Sequence, residues 1–546
     1  MNKAPLNLSV IRLLLVVAML VSCLPDYVFA EEKDLKIYDS TVDFKHFAVE
    51  LNPDNTLKSS DAHAIINTKF KTKVLESKYL KATLLPEYGG RMLSIIYKPT
   101  GRELLYQNPV GTPYGMGENN FYYNWLMVYG GIFPTFPEPE HGKTWCVPWD
   151  AKVVKQNDDQ ISVEMSFTDN IDPTQGVPRK FSKGRTDLTC IQTVTVYREK
   201  AYVDYNIKLI NNKDAALEYE YWTCTTLAPG SEPGKTVSPP NSEIIVPISK
   251  VKLKDDWWPW MGKAEKALEP KDHVFEYKNL AFFKNWTDMG IAYANPSAEK
   301  GWWGVINHEN KEGILRIADN KQYTPGLKLW TWGEEKGRKT NPESFGDAAR
   351  PYIELWAGHS SEFFENAKMS PKEQKSWNEY YIPTVGLEKI TYANQHAAVY
   401  LNYTVDEAKN EVVFDANIFT THPDEPLKLN LSLKGDKKIT LREKDFVGDP
   451  AKPDKTSIPI SRALIDKGSK VFELALTTAS GELLAQAELP LLEDSKSSME
   501  AGLLAQKPTS AKWRNLMLIM ISTGFVVLTA TFLTIAIRKK KDKKFS

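Results

Sequence analysis

Apolar and polar residues alternate with a period of two along most of the chain between residues 80 and 385, and apolar positions spaced as in a helix are scarce there. Alternation of this kind is typical of strands with one buried face. It is clearest over 80–84, 91–97, 103–106, 161–167, 191–197, 202–210 and 314–317. The pattern predicts a large all-β sandwich from about residue 35 to 385.

Five more short strands are predicted after that sandwich, over 399–405, 412–418, 427–433, 471–477 and 483–489. Turn residues separate them, with one longer insertion around Asp449, Pro450 and Pro453. This spacing is typical of an immunoglobulin-like (Ig-like) β-sandwich, which we place at residues 386–492. The segment 493–513 has the composition of a linker.

The N-terminus has the pattern of a secretory signal peptide. Lys3 and Arg12 precede the apolar run 13–21, and Ala30 ends a small-residue cleavage site. We therefore expect residues 1–30 to be removed. The alternative is a lipoprotein signal, in which Cys23 would carry the lipid.

The C-terminus has the pattern of a membrane anchor. Residues 515–537 contain no charge and are long enough to span about 30 Å of hydrocarbon as a helix. Arg514 precedes this run and a basic tail at 538–546 follows it, so we expect a transmembrane helix at 514–537 with a cytoplasmic tail. The body would then be extracytoplasmic, in the periplasm or at the cell surface, and held to the cell membrane by a single pass.

Composition narrows the classes of function. The chain has 546 residues, 42% hydrophobic and 25% charged, as in globular proteins of two or three domains. Lys plus Arg and Asp plus Glu both number 69, so no basic excess points to nucleic acid. The 15 Trp residues suit a polysaccharide better than a polyanion. Cys146, Cys190 and Cys224 remain after signal removal; this odd number allows at most one bridge, and we interpret them as buried thiols.

One loop gathers several groups that could carry chemistry. Residues 129–149 are rich in Gly and Pro and contain Glu138, Glu140, His141 and Trp145. An imidazole whose pKa lies near neutrality can transfer a proton to a sugar oxygen. The alternative is a well-packed aromatic loop with a hydrogen-bonded histidine. A metal site made of the two glutamates and His141 would lack ligands, so we predict no metal.

A second group lies in the predicted strand at 351–359. Period two places Tyr352, Glu354 and Trp356 on one face and Ile353 and Leu355 on the other. A carboxylate in an apolar strand is costly unless it is paired or functional. Such a face suits a sugar pocket, with a base between stacking planes. The alternative is a strand with one face in water.

Aromatic residues recur in two other segments. Trp330 and Trp332 share one face of a predicted strand, and His308 follows another strand. Aromatic rings stack on the C–H faces of sugars, although Trp is also common in cores. His308 is either a second imidazole at the sugar or a turn residue. No nucleotide-binding or serine-hydrolase motif is present in the sequence, and no cofactor is implied.

The chain resembles galactose mutarotase-like domains, which aldose epimerases share. The resemblance rests on residues 84–95 and 100–106, on the loop 130–149, and on the segments 325–333 and 351–358. The last two segments are the more specific, and they resemble a bacterial family of secreted proteins with a mutarotase-like domain of unknown function. The similarity covers roughly residues 75–385.

This resemblance implies a β-supersandwich over residues 31–385. It also implies that Glu354 takes the proton of the anomeric hydroxyl and that His141 contacts the sugar. In the epimerases another histidine contributes to the site, but the corresponding region here, around Trp222, has none. Besides these two catalytic candidates, the predicted sugar-contacting residues are Arg91, Glu138, Glu140, Trp145, Trp222, His308, Trp330, Trp332 and Trp356.

Two functions remain open at this point. The first is an enzyme that binds and processes a saccharide by carboxylate and imidazole proton transfer, as an aldose epimerase-like isomerase or as a glycan hydrolase or lyase. The second is a non-catalytic carbohydrate-binding or structural protein of the cell envelope. We expect a saccharide or polysaccharide ligand and no nucleic acid.

Overall fold

The structure is a computed structural model that describes residues 34–53, 57–109, 130–138, 141–145, 147–172, 182–253, 274–286, 290–294, 300–332, 352–465 and 471–491. Several predictions lie outside these residues: the signal peptide with Cys23, Glu140, Cys146, the linker, the transmembrane helix and the basic tail. Across the described ranges, no helix is both long and apolar enough to cross a bilayer.

The described chain consists mainly of strands. Up to residue 385 these are β1 (Lys36–Leu51), β2 (Leu57–Glu76), β3 (Leu80–Leu85), β4 (Arg91–Tyr97), β5 (Arg102–Leu105), β6 (Ile132–Thr135), β7 (Asp150–Gln156), β8 (Gln160–Thr168), β9 (Leu188–Tyr197), β10 (Val203–Asn211), β11 (Leu217–Tyr219), β12 (Trp222–Ser231), β13 (Ser242–Ile245), β14 (Lys250–Leu253), β15 (Val274–Glu276), β16 (Gly290–Ala294), β17 (Trp302–Asn307), β18 (Glu312–Ala318), β19 (Gly326–Trp332), β20 (Tyr352–Gly358), β21 (Ala367–Met369) and β22 (Gln374–Val385). Two 3₁₀ turns, Tyr277–Asn279 and Phe283–Asn285, follow β15.

Two large antiparallel sheets form the first sandwich. A 12-stranded sheet has the order β1-β2-β3-β4-β5-β12-β20-β19-β16-β14-β15, with β6 pairing β4 and β12. An 8-stranded sheet has the order β13-β17-β18-β22-β10-β9-β8-β7, and β11 pairs with β21. Apolar residues of both sheets form one core, so the predicted all-β sandwich is confirmed.

The alternating pattern of the sequence positions this core. In β10, Val203, Tyr205 and Ile207 are buried and alternate with half-buried residues. β20 is buried at every position, because both of its faces are covered. Its Ile353 and Leu355 belong to the core between the sheets. Residues 352, 354 and 356 therefore point to the opposite face.

The ion pair between Arg316 and Glu379 lies fully buried within the first sandwich. Arg316 Nε donates to Glu379 Oε2 at 2.8 Å. The Thr223 hydroxyl, the Trp377 indole and the Tyr381 hydroxyl donate to the same carboxylate at 2.9, 3.1 and 2.8 Å. Burial alone would raise the pKa of Glu379, but the Arg316 charge and these hydrogen bonds outweigh it and hold that pKa below its ordinary value.

The second group of strands forms a smaller sandwich. It contains β23 (Tyr392–Ala393), β24 (Ala397–Asp406), β25 (Glu411–Thr420), β26 (Pro426–Lys434), β27 (Lys438–Val447), β28 (Asp454–Ser461), the one-turn helix α1 (Arg462–Ile465), β29 (Val471–Thr478) and β30 (Leu483–Pro490). The sheets β23-β24-β25-β28 and β27-β26-β29-β30 enclose a second core. The five predicted strands are present. The Ig-like topology and the domain boundaries stay predictions.

The two sandwiches share buried contacts. Ala398 and Phe419, from β24 and β25, belong to the apolar core of the first sandwich. The Phe419 ring lies 6.2 Å from that of Tyr97, and the Tyr79 hydroxyl donates to Asp424 at 2.7 Å. The junction between the sandwiches is therefore packed, with both apolar and polar contacts.

A histidine pair lies at this junction. His396 Nδ1 and His422 Nε2 are 2.7 Å apart, and His422 Nδ1 is 2.9 Å from Glu425 Oε2. Lys200, from the β9–β10 turn, contacts both His422 and Glu425. Burial, the neighbouring His422 and the Lys200 charge lower the pKa of His396 to about 4. Both rings are therefore held in their neutral form at pH 7, since the pKa of His422 is also lowered.

Candidate functional site

The candidate site lies on the face of the 12-stranded sheet that points away from the core. On β20 this face carries Tyr352, Glu354 and Trp356. In the antiparallel register with β19, Trp330 lies opposite Glu354 and Lys328 lies opposite Trp356. All five side chains are buried, so other parts of the protein cover this face.

Glu354 is the carboxylate at the centre of this face, and only 2% of it is exposed. The Trp356 indole Nε1 donates to Oε2 at 2.7 Å. Oε1 is buried and has no hydrogen-bond partner among the described residues. Burial raises the pKa of Glu354 to about 7, against the opposing influence of Lys328, Trp356 and Tyr352. The carboxyl is therefore divided between its two protonation states near neutral pH.

Lys328 was not among the predicted site residues, yet it lies beside Glu354. Its Nζ is 3.7 Å from the ring centroid of Trp356, 4.1 Å from that of Phe363 and 5.7 Å from that of Trp330. An ammonium group so placed is attracted to the negative faces of the rings. Because Lys328 occupies the face of Trp356, that indole positions the two charged groups and is a poor stacking plane for a sugar.

His141 approaches the same indole from the 141–145 loop. Its ring centroid is 5.3 Å from that of Trp356 and 5.2 Å from that of Trp145. Burial, with the Lys328 and Arg91 charges, lowers the pKa of His141 well below its ordinary value. The structure thus brings together the two predicted catalytic residues, Glu354 and a neutral His141, on one tryptophan.

Arg91 anchors this loop through backbone contacts. Its Nε, Nη1 and Nη2 donate to the carbonyl oxygens of Tyr88, Gly130 and Trp145 at 2.9, 2.9 and 2.7 Å. The guanidinium carbon lies 4.4 Å from the Phe133 ring centroid. The geometry therefore favours a structural role for Arg91, in contrast to the predicted contact with a sugar hydroxyl.

Gly142 adds a backbone constraint to the same loop. Its φ of +69° is in the left-handed region, and a Cβ there would lie 2.3 Å from the Phe136 carbonyl oxygen. Lys143 N donates to that carbonyl oxygen at 3.1 Å. This turn places His141 and Trp145 on the same side.

Glu138 and Trp222 lie buried at one end of the site. Glu138 Oε1 accepts hydrogen bonds from Lys183 N at 3.0 Å and Ser182 Oγ at 3.2 Å, and burial raises its pKa. The Trp222 ring lies against the backbone of Gly358, where a Cβ would come within 2.3 Å of it. Because the strand covers the ring, Trp222 is packed as core and is not presented as a sugar platform.

The other end of the face is also aromatic. Tyr352 stacks on Tyr106 with the centroids 4.4 Å apart and an interplanar angle of 14°. Trp330 is buried, and Trp332 lies opposite Tyr352 in the β19–β20 register. The side chain of Trp332 is outside the described part of the structure, so its predicted contact with a sugar stays a prediction.

His308 lies elsewhere. It follows β17 in the 8-stranded sheet, and its Nε2 is 2.7 Å from Glu243 Oε2. Its ring lies 5.7 Å from that of Phe282. The structure therefore gives His308 the turn position and does not bring it to Glu354.

No group of three or more His, Cys, Asp or Glu side chains with the geometry of a metal site is found among the described residues. Cys190 and Cys224 are buried free thiols. The chemistry visible at the site is that of a carboxyl group with a pKa of about 7 and a neutral imidazole. Both groups can accept a proton, and the protonated carboxyl can donate one.

A family described as "Domain of unknown function (DUF5107)" matches residues 53–384. Among solved structures, the chain is similar to a TPR-domain containing protein from Parabacteroides distasonis, at 17% identity over 64% of this chain and 55% of that chain, with a TM-score of 0.50. The chain therefore spans little more than half the length of that protein.

Two other solved structures are similar to this chain over most of their own length. A putative aldose 1-epimerase from Klebsiella pneumoniae is similar at 14% identity, covering 57% of this chain and 79% of that chain, with a TM-score of 0.40. A galactose mutarotase-like protein from Clostridium acetobutylicum is similar at 12% identity, covering 65% and 99%, with a TM-score of 0.38. Likeness at such identities concerns the fold alone.

Proposed function

This chain belongs to the DUF5107 family, and we propose that it binds a saccharide at the Glu354 face and transfers protons there between the carboxyl group and the sugar. The observation that carries the proposal is the buried Oε1 of Glu354, which has no hydrogen-bond partner among the described residues. A buried acceptor without a partner costs about 1–3 kcal/mol. A sugar hydroxyl is a donor that would satisfy it.

The protonation state of Glu354 supports the proton transfer. A general base works best when its pKa lies near the working pH, and the pKa of Glu354 is about 7. The base would accept the proton of a hydroxyl bound at Oε1, and Trp356 would hold Oε2 in place. On a reducing sugar, Glu354 would take the proton of the anomeric hydroxyl and pass it to the ring oxygen as the carbonyl forms and the bond between C1 and the ring oxygen breaks. Reclosure on the other face of the carbonyl, by the reverse proton transfers, would give the other anomer.

A second candidate is saccharide binding without catalysis. It is favoured by His141, whose lowered pKa leaves the imidazole without a proton to transfer as an acid at neutral pH. In that case Glu354 and the neutral imidazole would serve as hydrogen-bonding groups for sugar hydroxyls.

We further propose that the protein meets this saccharide outside the cytoplasm, anchored in the membrane by residues 514–537. The support lies in the sequence. An apolar run followed by a basic tail lies towards the C-terminus, and a signal-peptide pattern lies at the N-terminus. A tether suits a protein whose ligand is a polymer outside the cell membrane.

The test is a panel of mono- and oligosaccharides titrated calorimetrically into the full-length chain, followed by NMR measurement of anomer exchange for each sugar that binds. The variants are Glu354→Gln and, as the matched control, Glu309→Gln at an exposed turn. We expect Glu354→Gln to keep the affinity within about threefold and to lower the exchange rate by at least about 100-fold.

The outcomes separate the candidates. Binding without anomer exchange or bond cleavage in the wild type would favour the non-catalytic function. Equal exchange rates in the wild type and in Glu354→Gln would remove Glu354 from the chemistry. If no sugar in the panel binds, the proposed function is wrong for that panel.

A further inference from the structure

Lys328 and Glu354 are two opposite charges on one face of adjacent strands, and Trp356 touches both. Lys328 is the direct cross-strand neighbour of Trp356, and Glu354 lies two positions before Trp356 on the same strand. The carboxylate binds the N–H edge of the indole, whereas the ammonium lies over its face, 3.7 Å from the centroid. One rigid ring therefore fixes the position of both groups.

The ammonium is enclosed by aromatic rings. Only 3% of Lys328 is exposed, and the rings of Trp356, Phe363 and Trp330 all lie within 6 Å of Nζ. Phe363 itself packs edge-on against Trp356, with the centroids 5.5 Å apart. A cation held in this way acts on its neighbours through a medium with little water, where charges interact more strongly than at a surface.

The position of this charge affects both titratable groups of the site. It favours the ionised form of Glu354 and disfavours the protonated form of His141. From this geometry we propose that Lys328 is a positioning residue whose charge, held by Trp356, makes Glu354 the proton acceptor of the site. This inference rests on the proposed function only in giving Glu354 the role of proton acceptor towards a sugar. The effect of the Lys328 charge on the Glu354 carboxyl does not depend on that function.

Among the described residues, Tyr352 on β20 and Cys224 on β12 also interact with Glu354, and the charge of Arg91 on β4 acts on Cys224 and on His141. Arg91 is committed to three carbonyl oxygens, and burial raises the pKa values of Tyr352 and Cys224, so both stay neutral. Within the described part of the chain, Lys328 is therefore the charge whose removal should change the titration of Glu354.

The experiment needs no ligand. The full-length chain is labelled with [δ-¹³C]glutamate, and the Glu354 resonance is identified by its loss in Glu354→Gln. Its titration is followed between pH 4 and 10 in the wild type, in Lys328→Met and in the control Lys300→Met. Lys300 lies over another indole, that of Trp302, at 5.9 Å.

We expect the titration midpoint of Glu354 to rise by about one pH unit or more in Lys328→Met and to stay unchanged in Lys300→Met. A midpoint in Lys328→Met within about 0.3 units of the wild type would overturn the proposal. If Lys328→Met does not fold, Lys328→Gln and Lys328→Arg are compared. Equal midpoints in these two variants would overturn it as well, because only one of them keeps the charge.

This result is independent of sugar binding. A shifted midpoint with no binding to any saccharide would contradict the proposed function and leave the electrostatic role of Lys328 intact. An unshifted midpoint in a protein that binds and turns over a sugar would contradict the electrostatic role of Lys328 and leave the proposed function intact.

Discussion

The indole N–H of Trp356 donates to the carboxylate of Glu354 from two positions further along the same strand, at 2.7 Å. Residues two apart on a strand share a face, so the sequence itself provides this contact once β20 forms. The bond satisfies one carboxylate oxygen and leaves the other, buried Oε1 without a partner among the described residues. A buried carboxylate oxygen kept without a partner is expected to lower the stability of the fold, and it leaves the Glu354 carboxyl available for reaction.

The first prediction follows from the pKa of Glu354, which is about 7 in the folded chain and ordinarily 4.5. The folded state binds the proton more tightly, so the contribution of Glu354 to stability is present below pH 4.5 and is lost as the pH rises through 7. Glu354→Gln should therefore raise the free energy of unfolding at pH 8 by about 2–3 kcal/mol, and by less than about 1 kcal/mol at pH 5. Urea unfolding at both pH values measures this, and destabilisation at pH 8 would contradict it.

A second prediction concerns Glu379, which is equally buried but paired. Glu379→Gln should lower the free energy of unfolding by about 3–5 kcal/mol, because it leaves the Arg316 charge buried without its counter-ion. The control is Glu388→Gln, whose exposed partner is Lys311, and there a change below about 1 kcal/mol is expected. A small effect at both sites would show that water reaches Arg316.

Arg91 gives a third prediction. Lysine cannot reach three carbonyl oxygens, so Arg91→Lys should leave buried acceptors without donors and lower the free energy of unfolding by about 2–4 kcal/mol. Arg102→Lys is the control, because the side chain of Arg102 is 40% exposed. Unchanged stability combined with lost sugar affinity would instead restore Arg91 to the role of a sugar ligand.

The histidine pair at the junction gives a fourth prediction. The unfolded chain binds a proton at His396 below about pH 6.5, whereas the folded chain does so only near pH 4. The stability contributed by the neutral ring is thus present above pH 6.5 and lost as the pH falls towards 4. At pH 5 this loss is about 1–2 kcal/mol, and less where water screens the ring.

His396→Gln removes this proton uptake. The melting temperature of His396→Gln should therefore fall less between pH 7 and 5 than that of the wild type. If the melting temperatures of the wild type and His396→Gln fall in parallel with pH, proton uptake by the histidine pair does not destabilise the junction in acid.

Much of the first sandwich follows from period two, because each strand buries one face and that face is visible in the sequence. β3, β4, β8, β9 and β10 were predicted within a few residues of their bounds. The membership of a family of unknown function was also predicted and is confirmed. β27 and β28 were missed. β27 is an edge strand with most of its residues exposed, so its alternation is weak.

The site was predicted less completely, for a physical reason. The shared face of Tyr352, Glu354 and Trp356 is a property of one strand and is therefore visible in the sequence. The contact between Lys328 and Trp356 depends on the register of two strands, and a single sequence does not specify that register. The same limit applies to Arg91, which binds the carbonyl oxygens of Gly130 and Trp145, 39 and 54 residues away.

Phe419 and Ala398 fill part of the first core although they belong to strands of the second sandwich. Deleting the second sandwich would remove these two side chains and expose the apolar residues that they contact in the first core to water. The two sandwiches should therefore denature in one cooperative transition, with a single peak in calorimetry. A protease cut in the link between β22 and β23 should leave the halves associated.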